Sequence, residues 1–278
     1  MRPRRYCVRQ LASARIVVLV LASLIVASLE AAELQPRTVA AFDRYVRLTE
    51  ARMSRDGAFI WVDGLPESQR RFNMAALRRG ELVIERLMTR DGGEKIGVPD
   101  GLIHHWLGLV FAPGANLDQA LALLQDYDRH ADIYRPAVAS SKLLSRNGDV
   151  FRMYLRFAMK KVISVVVNTE NEARFTRLGT DRAQSRIYST RIAEVDDPGT
   201  PLEREEPVGR DGGYLWRLYT YWHFLERDGG TYVQCESISL TRDIPIGFGW
   251  LVGPFVTSIP RDSLAFTLET TRTTLARK

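Results

Sequence analysis

Alternation of apolar and polar residues dominates the second half of the chain. The clearest case is one segment in which Phe151, Met153, Leu155, Phe157 and Met159 occupy every second position. A period of two is typical of an antiparallel strand with one buried face. The pattern predicts six strands, at residues 137–144, 150–160, 162–168, 185–195, 214–226 and 231–241.

Helical spacing appears on both sides of this strand-rich region. A strand predicted at 103–111 precedes Asn116 and Gln119, whose spacing is that of a capping box. The pattern therefore predicts one short helix after Asn116 and a second over residues 126–134. Near the end of the chain, apolar residues at i, i+4 and i+11 predict a long helix that begins at Pro260.

The leading segment, residues 33–101, has a less regular pattern. Residues 38–55 are expected to form a helix and residues 59–62 a short strand. Residues 74–87 mix a helical start with a strand-like end, and glycine-rich turn signals follow. The segment is predicted to be an α/β extension of unknown role, either a cap or a brace on the main domain.

The order of strand, two short helices, six strands and one long helix resembles the START/Bet v 1-like superfamily, also called polyketide cyclase or lipid-transport domains. The resemblance covers about residues 102–278 and includes Ser258-Ile-Pro-Arg-Asp-Ser-Leu264 at the last helix. It implies an α+β helix-grip fold, with a seven-stranded antiparallel sheet curled around a long C-terminal helix. Plant members have a glycine-rich loop between the second and third strands. This sequence lacks it and has Ser145–Asp149, with a single glycine, at that position.

The N-terminus has the three parts of a secretory signal. Five arginines precede an uncharged run of 14 residues, Ile16–Leu29, and small residues follow. A membrane-spanning helix needs roughly 20 apolar residues, so a signal at 1–32 that is cleaved near Ala31 or Ala32 is expected. The protein would then be periplasmic or secreted. The alternative is an uncleaved helix that anchors the protein to the membrane.

Charge and cysteine content narrow the functional classes. The chain has 39 Lys and Arg against 33 Asp and Glu, but the part after residue 31 keeps a net charge of only +2. This argues against a nucleic-acid partner, which requires a strong positive excess on the folded part. Cys7 would leave with the signal, so Cys235 would have no partner for an internal disulfide and is expected to be buried.

No motif indicates a metal, a cofactor or a nucleophile. His104 and His105 are neighbours on a predicted strand, so they point to opposite faces and are not expected to ligate one ion. Asp126–Asp132 begins like a calcium loop but lacks the required glycine and glutamate. We therefore expect no cofactor, no metal site and no catalytic residue.

A hollow between the sheet and the last helix is the expected ligand site. Its apolar lining is predicted to come from alternate strand positions, the two short helices and the last helix. The candidates are Trp106, Tyr127, Tyr134, Met153, Leu155, Phe157, Trp216, Leu218, Trp222, Leu264 and Leu268. The aromatic residues could equally be core against the last helix.

Polar groups in the same cavity are a second set of candidates, namely His105, Asn168, Arg217 and Glu236. Glu236 would be a possible general base if it pointed inward, because desolvation raises a carboxyl pKa. The sequence leaves open which face of the last strand is inside. A solvated Glu236, or one paired with Arg217, is the simpler interpretation.

The expected function is binding or carriage of an apolar molecule, such as a lipid, isoprenoid or polyketide-like compound, with possible contact to a membrane surface. The first alternative is a cyclase or aromatase-type enzyme that uses the polar candidates. The second is an envelope interaction protein whose core is filled by side chains. Fold alone does not decide among them.

Overall fold

The computed structural model describes residues 32–55, 57–160, 164–244 and 249–277, with side chains described in these ranges except at 160 and 249–257. The predicted signal, with its alternative as an anchor, lies outside the described residues except for Ala32. Within the described ranges, no helix combines the length and hydropathy that a membrane crossing requires.

The leading segment forms two helices and several short strands. Helix α1 agrees with the helix predicted at 38–55, and β2 accounts for the strand-like end of residues 74–87. The elements are β1 (Ala32–Glu33), α1 (Pro36–Arg55), α2 (Glu67–Arg78), β2 (Val83–Arg86), β3 (Arg90–Asp91) and β4 (Glu94–Lys95).

A 3-10 helix at Trp61–Gly64 stands where a strand was predicted over residues 59–62, so that prediction is wrong. Ile60 and Val62 are both fully buried against the sheet. A short apolar run looks the same in sequence whether it is buried as a strand or as a tight turn. Here the packing against the sheet decides the conformation.

The remaining elements follow the order of the resemblance. They are β5 (Gly101–Pro113), α3 (Leu117–Gln125), a 3-10 turn (Tyr127–Arg129), α4 (His130–Ile133), β6 (Val138–Asn147), β7 (Val150–Lys160), β8 (Ser164–Arg177), β9 (Arg182–Asp196), β10 (Arg204–Glu205), β11 (Arg210–Asp211), β12 (Arg217–Arg227), β13 (Gly230–Arg242) and α5 (Gly249–Leu275). The capping box of α3 is confirmed, since Gln119 N–H donates to Asn116 Oδ1 at 2.8 Å.

One antiparallel sheet has the strand order β2-β5-β13-β12-β9-β8-β7-β6, and β10 pairs with β9 as a ninth strand. The seven predicted strands are β5 to β9, β12 and β13, so the predicted α+β helix-grip fold is confirmed. The strand count differs because β2, from the leading segment, adds to the edge at β5 and β10 adds to β9.

Helix α5 is longer than predicted. It begins at Gly249, so Pro260 lies inside the helix and the prediction that it starts the helix is wrong. Proline is favoured in a first turn because its missing N–H needs no partner there. The mostly apolar residues before Pro260 extend the helix toward the N-terminus.

The two faces of the sheet are covered by different parts of the chain. The inner face packs against α3 and α5, with Leu264 and Leu268 of α5 over β5 and β13. The outer face packs against the leading segment, where Phe42 of α1 and Leu77 of α2 are both fully buried. The sheet is therefore a middle layer, with one apolar cluster of the described residues on its inner face and two on its outer face.

Gly108 on β5 sets the distance between the sheet and α5. A Cβ atom at this position would lie 2.4 Å from Leu268 Cδ1 and 3.4 Å from the Leu264 side chain. A larger residue would push the helix outward or force both leucines from their rotamers.

We expect Gly108→Ala to lower the free energy of unfolding by about 1–3 kcal/mol, the usual range for overpacking a core. Gly97→Ala is the matched control, since nothing lies within 4 Å of the added carbon there, and its effect should stay within about 0.5 kcal/mol. Urea denaturation of both variants measures the difference. Equal stability of the two variants would contradict the close approach of α5.

Candidate functional site

Most apolar residues predicted to line a cavity meet on the inner face. Residues from β5, β7, β12, α5 and the 3-10 turn share one cluster with the core of α3. These are Trp106, Tyr127, Met153, Leu155, Trp222, Leu264 and Leu268. Tyr134 is also buried, and its hydroxyl lies 2.9 Å from Thr271 Oγ1 on α5. The alternation of the strands thus places these positions on the side of α5.

Phe157 and Leu218 lie on the same face by register. Phe157 continues the alternation of Met153 and Leu155 along β7, and Leu218 pairs with Ser239 of β13. Both side chains are half-buried. They lie on strands away from β5 and β13, the strands that the described part of α5 covers most closely.

Trp216 lies on the outer face, so the prediction that it shares the inner face with Trp222 is wrong. It packs in the cluster of α1, and its Nε1–H donates to Asp211 Oδ1 at 3.0 Å. Strand β12 begins only at Arg217. The alternation that orients Trp222 therefore does not extend back to Trp216.

The polar candidates do not face α5. His105 and Glu236 lie on the outer face beneath α1. Arg217 pairs in register with Leu240, which belongs to the outer cluster, and donates to Trp216 O at 2.8 Å. Glu236 is therefore neither solvated nor shown paired with Arg217.

Asn168 belongs to a separate group near the end of β8. Its Oδ1 accepts a hydrogen bond from the Tyr154 hydroxyl at 2.8 Å, and its Nδ2 donates to Glu205 Oε1 at 2.8 Å. These bonds occupy the amide, which leaves it no evident role in a cavity beside α5.

Several polar side chains on the inner face are bonded to one another or to backbone, whereas the buried Ser185 hydroxyl has no hydrogen-bond partner among the described residues. His104 Nε2 lies 3.1 Å from Thr241 Oγ1, and Asn171 Nδ2 donates to Thr169 Oγ1 at 2.9 Å. Ser189 Oγ accepts from a backbone N–H of β12 at 3.1 Å. Buried polar groups of this kind stabilise a core when paired.

The outer face holds a buried polar network. Two of its members, His105 and Glu236, were candidates from the sequence, which did not predict that they form a network. Tyr45 of α1 accepts the Thr89 N–H at 2.8 Å, and its hydroxyl is 2.9 Å from His105 Nδ1. The Glu236 carboxylate can only accept, so His105 Nε2–H donates to Glu236 Oε1 at 2.7 Å. Arg52 completes the network by an ion pair with Glu236.

The signal for this network lies in the buried stripe of α1. Thr38, Tyr45 and Thr49 are buried at helical spacing although each has a polar group. A polar residue on the buried face of an amphipathic helix indicates a buried partner. The sequence does not identify that partner, because it comes from β5, β13 and the loop before β3.

Burial shifts the pKa values of several groups. It lowers the pKa of His104, His130 and His223 to about 4, so these imidazoles are neutral at pH 7. Burial, with the nearby Asp211 carboxylate, raises the pKa of Glu194 to about 7. Cys235 is buried as expected, and desolvation raises its thiol pKa.

The described residues contain no group of three His, Cys, Asp or Glu side chains that could hold a metal ion. His105 and Glu236 do lie side by side, but Tyr45 and Arg52 enclose them, and each of the two residues is only 2% exposed. The arrangement supports an interface between α1 and the sheet.

No protein-family model and no curated protein matches the chain. Among solved structures, it is similar to the STAR-related lipid transfer protein of Xanthomonas axonopodis, at 17% identity and a TM-score of 0.43, over 69% of this chain and 99% of that chain. Human STARD10 is similar at 12% identity and a TM-score of 0.43, over 74% and 80% of the two chains.

The Zhui aromatase/cyclase from Streptomyces sp. R1128 is similar at 11% identity and a TM-score of 0.42, over 63% of this chain and 95% of that chain. Similarity this low does not extend to ligand, activity or site residues.

We expect Arg52→Met to lower the free energy of unfolding by about 3 kcal/mol, because it leaves the buried Glu236 carboxylate without its cation. Adding Glu236→Gln to this variant should restore part of the loss, since no buried charge then remains. Arg55→Met, an exposed position in the same last turn, is the control. A double-mutant cycle by urea denaturation measures the coupling, and simple additivity would contradict the buried pair.

The shifted groups also predict a pH dependence. Each of these three histidines, His104, His130 and His223, binds a proton below pH 6.5 when unfolded but only below about 4 when folded, so acidification destabilises the fold across that window. Glu194 acts in the opposite sense, because its folded pKa of about 7 exceeds the ordinary 4.5. Stability from Glu194 is therefore complete below pH 4.5 and lost as the pH rises through 7.

Glu194→Gln should consequently steepen the loss of stability between pH 6.5 and 4.5, by about 1.4 kcal/mol per pH unit. Glu172→Gln, at an exposed position of β8, is the control and should leave the slope unchanged. Urea denaturation at several pH values measures both slopes. A slope in Glu194→Gln equal to that of the wild type would contradict the raised pKa.

Proposed function

We propose that the protein binds or carries an apolar small molecule, such as a lipid, isoprenoid or polyketide-like compound, against the inner face of its sheet. The supporting observation is a set of large apolar side chains on β7, β9 and β12 that remain half-buried. They are Leu155, Phe157, Met159, Ile187 and Leu218. Soluble proteins usually bury such side chains or use them to bind.

A bound apolar molecule would complete the burial of these side chains. Full burial of one large aliphatic or aromatic side chain is favourable by about 1.5–3 kcal/mol, so finishing a half-burial contributes on the order of 1 kcal/mol. Several such contacts supply a useful binding free energy without any charged group.

We further propose that the protein acts after export. The basic and apolar N-terminus supports this. A carrier in the periplasm or outside the cell would exchange its ligand with a membrane surface.

A cyclase or aromatase-type enzyme is the alternative, and an interaction protein with a filled core is another. The enzyme requires free polar groups beside the ligand. His105, Arg217 and Glu236 lie on the outer face instead, and Asn168 is held by Tyr154 and Glu205. Because these polar groups are not free beside the apolar site, we favour a binding protein over an enzyme.

We expect the protein to bind Nile red, a neutral apolar fluorophore, and Leu155→Glu to weaken this binding at least about tenfold, because a carboxylate on the inner face must be desolvated. Arg152→Ala, at an exposed position on the outer face of the same strand, is the matched control and should bind like the wild type.

Thermal unfolding of both variants shows whether Leu155→Glu is folded, and Ile187→Lys provides a second charge on the inner face if it is not. The absence of probe binding by the wild type would favour a filled core. Binding unaffected by either inner-face charge would contradict the proposed location.

A further inference from the structure

A polar cleft of about 160 Å³ opens on the outer face, on the opposite side of the sheet from the proposed apolar site. It lies between the C-terminal end of α1 and strands β9 and β12. Met53 and Ser54 contribute from the helix, and Gln184, Arg186 and His223 contribute from the strands. The network around Glu236 lies beside it and fixes the end of α1 on the sheet.

The protonation of His223 follows from its neighbour Gln234. Trp61 N–H donates to Gln234 Oε1 at 2.6 Å, which directs Gln234 Nε2 toward His223 Nδ1 at 3.5 Å. His223 Nδ1 is therefore an acceptor. Burial lowers the His223 pKa to about 4, so the imidazole is neutral and carries its hydrogen on Nε2.

Three donor-bearing side chains of the cleft have unused capacity. His223 Nε2, the Gln184 amide and the Arg186 guanidinium have no hydrogen-bond or ion-pair partner among the described residues. Arg186 also stands directly opposite Arg174 on β8, and like charges opposite each other destabilise a sheet. Glu172, on the same face of β8, stands opposite Tyr188 of β9 and not opposite Arg186.

The carboxylates next to the cleft are already occupied. Glu50 accepts hydrogen bonds from the hydroxyls of Tyr188 and Tyr221. Glu236 is held by Arg52 and by the imidazole beside it. Among the described residues, the groups left to meet a ligand are thus the Arg186 cation, the His223 Nε2–H donor and the Gln184 amide, which has both a donor and an acceptor.

We propose that this cleft binds one oxyanion, a carboxylate or a phosphate, through Arg186, Gln184 and His223. A guanidinium matches two oxygens of such a group, and the amide and imidazole N–H groups can reach others. The volume suits a phosphate-sized group but not the body of a lipid. The ligand could be a free anion or the phosphate of a headgroup, and its binding does not depend on the apolar site.

NMR of the imidazole rings during titration with inorganic phosphate tests the site. We expect a saturable shift of His223 and a rise of its pKa, because an anion favours the charged ring. His104 and His130, which lie elsewhere, serve as internal controls and should not move. The same titration should show binding at least about tenfold weaker in Arg186→Gln.

Arg182→Gln is the matched control, since Arg182 lies two residues before Gln184 on the same strand and lines a neighbouring groove. It should bind phosphate like the wild type. A His223 shift of the same size and affinity in Arg186→Gln would overturn the proposal and indicate general ionic screening.

Vesicles distinguish the source of the anion. Arg186-dependent binding to phosphatidylglycerol vesicles, with none to phosphatidylcholine vesicles, would assign the site to a headgroup. A His223 response to inorganic phosphate without vesicle binding would assign it to a free anion. If neither phosphate nor vesicles gives a response that depends on Arg186, the proposal is wrong.

Discussion

The buried carboxylate of Glu236, on an interior strand of the sheet, is the constraint on which the outer face depends. At 2% exposure it requires a cation and a donor, and Arg52 and His105 supply them. Arg52 comes from α1, and Tyr45 of the same helix orients His105. The leading segment is therefore bound to the sheet by charge and hydrogen bonding as well as by its apolar stripe.

This cover makes the two faces of the sheet different in kind. The outer face holds buried tyrosines, histidines and carboxylates, with polar clefts where the cover ends. The inner face holds aromatic and aliphatic side chains, and several of its polar groups bond to one another. An apolar ligand would meet few desolvated charges on the inner face, whereas an anion would find its donors on the outer face.

The order of elements along the chain could be predicted because period-two alternation and a capping box are local signals, and the helix-grip fold followed from the family resemblance of that order. The length of β8 could not, since its inner positions include Thr169 and Asn171, and the alternation of apolar and polar residues is lost there. The face of β13 on which Glu236 lies could not be predicted either. Its face is decided by α1, nearly two hundred residues earlier in the chain, and a strand pattern cannot show what covers it.

The proposed function depends on the binding of an apolar molecule against the inner face. Native mass spectrometry of the chain from residue 32 onward, purified from the exported fraction without detergent, tests it most directly. The account predicts a reproducible excess mass that solvent extraction removes, and the extract would identify the compound class. A bare polypeptide mass, unchanged after incubation with a lipid extract, would contradict it.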